Sequence, residues 1–335
     1  MQTITQTIFT RKMDSRGGQR VPFCQVFHCF ETDNHMLKAA WQRLPDPLRR
    51  AASRLTPEPV RQIATRSWVV PVNYQHRDPS NAVVEAAHAV KVAEMYAELV
   101  RSYGQSLQGL RILEVGPGTH FGPQLLLADR GADITLVDRF VAPWDAGYHP
   151  HLYGQLRKLT GPSRALDAVI TAQGYPRECL TIINQPAEAM TAVPSGSIDL
   201  VLSWAVLEHV YDLAAVCRSF ARVTRPGGVG HHQVDFRDHL HTDRPLEFLL
   251  SSALRAKIDF SYRHGERGNR RRPDELVMLL KRAGFDRVDI NVTEEASPAY
   301  LADFLPRLRA ARASPYRSWP TDDLCILGAK ITAWR

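Results

Sequence analysis

Three groups of residues in this chain have types and spacings that suit chemistry. The first is Glu114-Val115-Gly116-Pro117-Gly118-Thr119-His120, which closes an apolar run at 110–116 and leads into a helical pattern. Glycines at such a junction let the backbone turn tightly and approach a ligand with no Cβ in the way. Asp138 stands 22 residues beyond Gly116, at the end of the next apolar run. A carboxylate there accepts hydrogen bonds from a ribose diol. Phe121 occupies the place where a dinucleotide fingerprint needs its third glycine, so the loop suits a different nucleoside ligand. The second group is His231-His232-Gln233-Val234-Asp235-Phe236-Arg237-Asp238-His239-Leu240-His241. Strand parity points His232 away from His231, Gln233 and Asp235. His232, Asp235 and His239 are candidate general bases for an acceptor hydroxyl, with a structural polar network as the alternative. Their spacing matches no recognised ligand set, so no metal is expected. The third group, 263–272, carries five arginines against one acid. An exposed charged loop is the commoner meaning, although guanidinium forks also suit an anionic substrate. Aromatic residues are not interleaved as an RNA-stacking platform requires.

These groups need a scaffold, and the hydrophobic pattern supplies one. Apolar runs at 110–116, 132–138, 180–184, 198–204, 228–236, 286–292 and 326–334 read as strands, most of them separated by helical stretches. Strands apolar on both faces that alternate with helices predict an α/β fold with a doubly wound, largely parallel sheet. Two long interruptions, 139–179 and 237–272, are the natural places for substrate-specific structure. The first holds Phe140, Trp144, Tyr148, Tyr153 and Tyr175, which read as the core of a cap or as a cage for a cation. Before the sheet, Ser80 is the expected cap of a helix whose face carries Val83, Ala87, Val90, Ala93, Ala97 and Val100. Residues 1–80 read as a largely helical N-terminal extension or cap, and 81–335 as the α/β domain.

Composition limits the alternatives. The chain has 335 residues, 44% hydrophobic and 23% charged, which excludes a disordered or fibrous protein. No apolar run approaches the roughly 20 residues that span a bilayer, and the polar start is not a secretory signal. Five scattered cysteines fit a reducing, cytoplasmic setting. Cys24 and Cys29 lack a matching second pair, so buried thiols are expected there rather than a metal half-site. A net charge of +7 permits an anionic partner without requiring one.

The E-x-G-x-G form of the 114–118 loop resembles the first motif of class I S-adenosylmethionine (SAM) dependent methyltransferases. The segment Pro194-Ser-Gly-Ser-Ile-Asp199-Leu-Val-Leu-Ser203-Trp204-Ala-Val-Leu-Glu208-His209-Val is similar to that family's P-x-G-S-h-D-h-V-x-S-x-x-V-L-E-H-V stretch. Phe220-Ala-Arg-Val-Thr-Arg-Pro226-Gly227-Gly228 resembles its L-x-R-V-L-K-P-G-G turn. The resemblance covers about 110–236 in family order. It implies a Rossmann-like, seven-stranded sheet whose last strand is antiparallel. It also implies that Glu114, Gly116, Gly118 and His120 wrap the methionine part of SAM, with His120 making the loop bulkier than in many members. Asp138, with Arg139 beside it, would hold the ribose, and Ser203 and Trp204 would line the pocket near the sulfonium. Gln185 and Glu188 stand where many members contact the adenine. His209 is a further candidate base.

The implied activity is methyl transfer to oxygen or nitrogen of a small molecule, anionic if the arginines bind it. The same pocket would also serve a second chemistry, in which SAM itself closes to azetidine-2-carboxylate and releases methylthioadenosine. Tyr175, the His120 loop and Ser203-Trp204 would then form the cage. An RNA methyltransferase or a non-catalytic SAM-binding subunit is a third class. No membrane partner is expected.

Overall fold

The structure is a computed structural model describing residues 77–262 and 267–335. The expected extension, apart from residues 77–80, and Cys24 and Cys29 lie outside the described residues. All seven expected strands form: β1 (Arg111–Val115), β2 (Asp133–Asp138), β3 (Thr181–Asn184), β4 (Ile198–Trp204), β5 (Thr224–Asp235), β6 (Arg287–Glu295) and β7 (Ile326–Trp334). They make one sheet in the order β3-β2-β1-β4-β5-β7-β6. β7 runs antiparallel to both β5 and β6, and the pairs among β1 to β5 are parallel. The fold is therefore a Rossmann-like α/β sheet with an antiparallel last strand, and the strand order reverses beside β1.

Alternation along the strands feeds two apolar layers. Ile112, Leu200 and Leu202 face α1 (Ala82–Ser102), α2 (Gly122–Asp129), α3 (His149–Thr160) and α4 (Arg164–Ala172). Leu113, Val115 and Val201 face α5 (Leu213–Val223) and α7 (Pro273–Ala283), where Val216, Phe220, Leu276 and Leu280 are buried. A smaller cluster joins Phe248 and Leu249 to α8 (Pro298–Ala310) through Phe304 and Leu308. The remaining helices are α6 (Ala253–Tyr262) and α9 (Thr321–Leu324). Asp199 pins the far end of β4: it accepts from the Arg111 backbone N–H at 2.9 Å and Nε at 2.8 Å, and it also pairs with Arg225. No helix among the described residues is long and apolar enough to cross a membrane.

Two local expectations are corrected. The side chain that caps the entry to α1 is Asp78, which accepts from the Ser80 N–H at 2.9 Å, rather than Ser80 itself. The buried face of α1 holds the expected Ala93, Ala97 and Val100 together with Ala82, Ala86, Ala89 and Tyr96, while Val83 is exposed. Alanines every three to four residues let α1 lie close to α2 and α3, and that packing selects the face. The 139–179 interruption supplies α3 and α4, and Tyr148 and Tyr153 are fully buried in the main core.

Candidate active site

The carboxyl ends of β1, β2 and β4 lie side by side, with Val115 in register with Val137 and with Ser203. Gly116 and Gly118 turn the chain off β1 at φ of +67° and +86°. L side chains are strained there, so glycine is required. A Cβ at Gly116 would lie 2.5 Å from Cγ2 of Val206, so the loop touches the connection that leaves β4. A Cβ at Gly118 would meet no protein atom within 4 Å, which leaves open space against bare backbone. Glu114 is 4% exposed and braces the loop from below. It accepts from Tyr96 Oη at 2.9 Å and Gln124 Nε2 at 2.6 Å, tying β1 to α1 and α2. Burial raises its pKa, and these two bonds pull it back.

The loop is also held from α3, by residues the sequence did not single out for that role. His149 Nδ1 accepts from the Asp145 N–H at 2.8 Å, so Nε2 carries the proton. Nε2 then lies 3.3 Å from both the Thr119 carbonyl and the Tyr175 hydroxyl. The Phe121 N–H donates to Tyr153 Oη at 3.4 Å, and Tyr153 and Tyr175 share a 3.0 Å contact. Tyr175 is thus a brace behind the loop, and burial lifts its pKa well above the ordinary phenol value. His120 turns inward instead of crowding the ligand space. Its Nδ1 accepts from the Gly122 N–H at 3.3 Å, and Nε2 lies 3.7 Å from Glu85. Burial, with Arg77 and two histidines nearby, brings its pKa down to about 3, so the ring is neutral.

Asp138 ends β2 and accepts from the Phe140 N–H at 2.7 Å. Burial raises its pKa to about 6, against that bond and the charge of Arg139. Arg139 reaches Glu188 at 3.5 Å and lies 4.9 Å over the Tyr211 ring, while Glu188 accepts from the Tyr211 N–H at 3.0 Å. This trio forms a clamp next to Asp138. Gln185 does not join it. Its amide donates to Thr191 Oγ1 and accepts from the Ala192 N–H, both at 3.1 Å, which closes its own turn.

Two further expectations fail on strand parity. Ser203 and His232 are register partners on the α5 face of the sheet, and Oγ lies 2.8 Å from Nδ1. His232 is fully buried and stacked on Phe220 at 4.7 Å, and burial lowers its pKa to about 3. It is a core residue, not an acceptor base, and Ser203 is its partner rather than pocket lining. Trp204, one residue on, points to the opposite face and is half-buried. Ala205 then takes φ +52°, and its N–H donates to the Gln233 carbonyl at 2.9 Å. A left-handed non-glycine residue stores strain of about 1–3 kcal/mol and is common at functional strand ends.

Just beyond, Glu208 and His209 meet the exit of β5. Glu208 is 4% exposed. Its Oε1 accepts from the Asp235 N–H at 3.2 Å, and Oε2 has no donor among the described residues. Burial pushes its pKa well above the carboxylate range. The His209 and His239 rings meet edge to face at 4.9 Å. His239 Nε2 lies 3.6 Å from Asp235, which also takes Arg237 Nη2 at 2.7 Å. Burial opposes the charge of Asp235, but His239 and Arg237 outweigh it and keep the carboxylate ionised.

Among the described residues, the arginines of the 263–272 segment are engaged within the protein. Arg267 pairs with Asp238 and Asp259, each at 2.7 Å. Arg270 donates to the Phe248 and Ser251 carbonyls, and Arg271 pairs with Glu275. Arg272 is fully buried, and its guanidinium donates to the carbonyls of Phe236, Asp323, Leu324 and Ile326. Carboxylates and carbonyls from other segments take up Arg267, Arg270 and Arg272, while Arg271 stays exposed beside its local partner Glu275.

Residues 85–290 match the family model described as "Methyltransferase domain". The chain is 26% identical over 205 residues to a ubiquinone biosynthesis O-methyltransferase of Psychrobacter arcticus, covering 60% of this chain and 68% of that protein. Among solved structures it is similar to a SAM-dependent methyltransferase of Mesorhizobium loti, with 16% identity and a TM-score of 0.40 over 71% of this chain and 96% of that one. It is also similar to phosphoethanolamine N-methyltransferase 2 of Haemonchus contortus, with 15% identity and a TM-score of 0.41 over 71% of this chain and 51% of that one. With the glycine loop, the acidic end of β2 and the sheet order in place, the match across 85–290 leads to one conclusion: the chain belongs to the methyltransferase-domain family of the class I SAM-dependent superfamily, and its cofactor is SAM.

Proposed function

We propose that the protein methylates an oxygen or nitrogen atom of a small molecule seated between the glycine loop and the polar cluster of Glu208, His209, Asp235 and His239. The observation that carries this reading is the adjacency of the two halves. Val206 touches Gly116, and Glu208 follows two residues later on the same connection. The relative from Psychrobacter arcticus, named as an O-methyltransferase, supports the oxygen option.

Bound SAM supplies an electrophilic methyl group on a sulfonium. The residues present fit it: bare backbone at Gly118 faces open space, and Asp138 ends the neighbouring strand. The chain's own work is to orient and to exclude water. Gly116 and Gly118 bring the backbone against the amino-acid end. Asp138 accepts from the ribose hydroxyls, and Arg139, Glu188 and Tyr211 form the adjoining wall. Trp204 and strained Ala205 direct the chain toward the acceptor side, where the polar cluster holds the acceptor group and favours loss of its proton.

Asp138 gives this reading a pH signature. Ribose hydroxyls donate best to an ionised carboxylate, and the ligand-free group titrates at about 6 instead of 3.8. Below that point a proton must leave before the diol binds. SAM affinity is therefore expected to fall by up to about tenfold per pH unit below about 6 and to level off above about 7. Calorimetric titrations from acid to neutral pH check this, and Asp138→Asn is expected to bind weakly with a flatter profile.

The activity itself is tested by incubating the purified protein with SAM, alone and with hydroxylated or amine acceptors, and identifying the nucleoside product by mass spectrometry. S-adenosylhomocysteine that appears only with acceptor is the expected result. Methylthioadenosine accumulating without acceptor would overturn methyl transfer in favour of ring closure.

A further inference from the structure

We infer that Glu208, His209 and His239 form a binding site for one divalent transition-metal ion of the Zn2+ class, which holds the acceptor oxygen. This deepens the proposed function and rests on it for the acceptor, though not for the metal. The three residues each offer one donor atom, and the three atoms lie within 4.8 Å of one another. Ligand–metal distances of about 2.0–2.2 Å place ligand atoms about 3–4 Å apart in such sites, so small rotamer changes suffice to close the set. Glu208 supplies an independent observation. It is 96% buried by the 4% exposure already noted, and its Oε2 has no donor among the described residues. A buried carboxylate oxygen without a partner is costly, and a cation relieves that cost directly.

The surrounding charges agree. Arg237, whose charge reaches Glu208, is committed to Asp235 at 2.7 Å and Glu294 at 3.1 Å. Asp235 adds a negative charge beside His239 without leaving the Arg237 pair. Two imidazoles and one carboxylate select Zn2+, Co2+ or Fe2+ over Mg2+, which prefers oxygen ligands. Three protein ligands leave positions open, as catalytic zinc sites do. An acceptor hydroxyl bound there gives its proton to water, keeps the O–H electron pair on oxygen, and becomes a nucleophile at neutral pH. A phenol or enol is the acceptor class such a site suits. Sequence spacing hid this set, because His209 and His239 are 30 residues apart on two connections.

The test uses the tag-free full chain, stripped with a chelator and titrated with Co2+ followed by d–d absorption, with zinc content measured in parallel. The expected result is uptake of one ion per chain, weakened on the order of 100-fold or more in Glu208→Gln and in His239→Ala. SAM binding by calorimetry is expected to persist in both variants, which shows that they are folded. No stoichiometric Co2+ uptake by wild type that binds SAM would overturn the site, and so would uptake equal in wild type and both variants. Uptake that depends on the trio, in a protein that methylates no acceptor, would uphold the metal site and remove the acceptor reading instead.

Discussion

Gly116→Val is expected to reduce SAM affinity at least about 100-fold, or nearly 3 kcal/mol, while the chain stays folded. Two costs act at one atom. The residue sits at φ +67°, where a β-branched side chain is a severe outlier. Its Cβ would also lie 2.5 Å from Cγ2 of Val206, so the loop must withdraw or the β4 exit must move. Either movement separates the cofactor wall from the acceptor side. Calorimetry with SAM measures the loss, and pairing Gly116→Ala with Val206→Ala divides it into parts. Recovery in the double variant assigns the loss to the steric contact, and no recovery assigns it to backbone strain. Gly118→Ala is the informative contrast. Its Cβ meets no protein atom within 4 Å, so the steric part of any loss comes from occupying ligand space. A Gly116→Val protein with wild-type affinity would show that this loop does not contact SAM.

The largest stability effect is expected at Arg272. Arg272→Met should destabilise the fold by about 3–5 kcal/mol, the range seen when one side of a buried charge network is removed. The guanidinium is fully buried and bonds the carbonyls of Phe236, Asp323, Leu324 and Ile326, with its cation 5.3 Å over the Phe236 ring. It therefore fastens the exit of β5 to α9 and the start of β7. Methionine fills similar volume but donates nothing, which leaves those carbonyls without this donor in a dry interior. Burial lowers the pKa of Arg272 to about 10, with Asp323 opposing, so the group stays charged at neutral pH. Denaturant unfolding of wild type, Arg272→Met and Arg272→Lys checks this. Lysine should recover part of the loss, because its ammonium has three donors but not the planar fork. A shift below about 1 kcal/mol for methionine would mean that water replaces the guanidinium there.

The two effects arise from different layers of information. The glycine loop was legible because its requirement is local: a strand end, a left-handed turn and an acidic end on the next strand are encoded within 25 residues. The seven strands were legible for the same reason, since short runs that are apolar throughout or on alternate residues, bounded by turn signals, have few other places to go. By itself, then, the amino-acid sequence determined the sheet, its antiparallel last strand through the family resemblance, the cofactor, and the positions of Gly116, Gly118 and Asp138.

Tertiary structure decided which polar side chains come together at the candidate site. His232 and His239 look equivalent in a histidine-rich stretch. Pairing of β5 with β4 seals His232 against Ser203 and Phe220, and the chain beyond the strand returns His239 to His209. The arginines at 267–272 suggested a solvated, anion-seeking loop. Arg267, Arg270 and Arg272 became ties within the protein because their carboxylate and carbonyl partners arrive from residues up to 54 positions away, while Arg271 stays exposed beside Glu275. His149 and Tyr153 joined the loop only because α3 packs on α1 and lays their ring atoms under Thr119 and Phe121. Burial converts these placements into chemistry. A polar group is defined by what meets it once water has left, and that is settled by contacts between segments that no local pattern records.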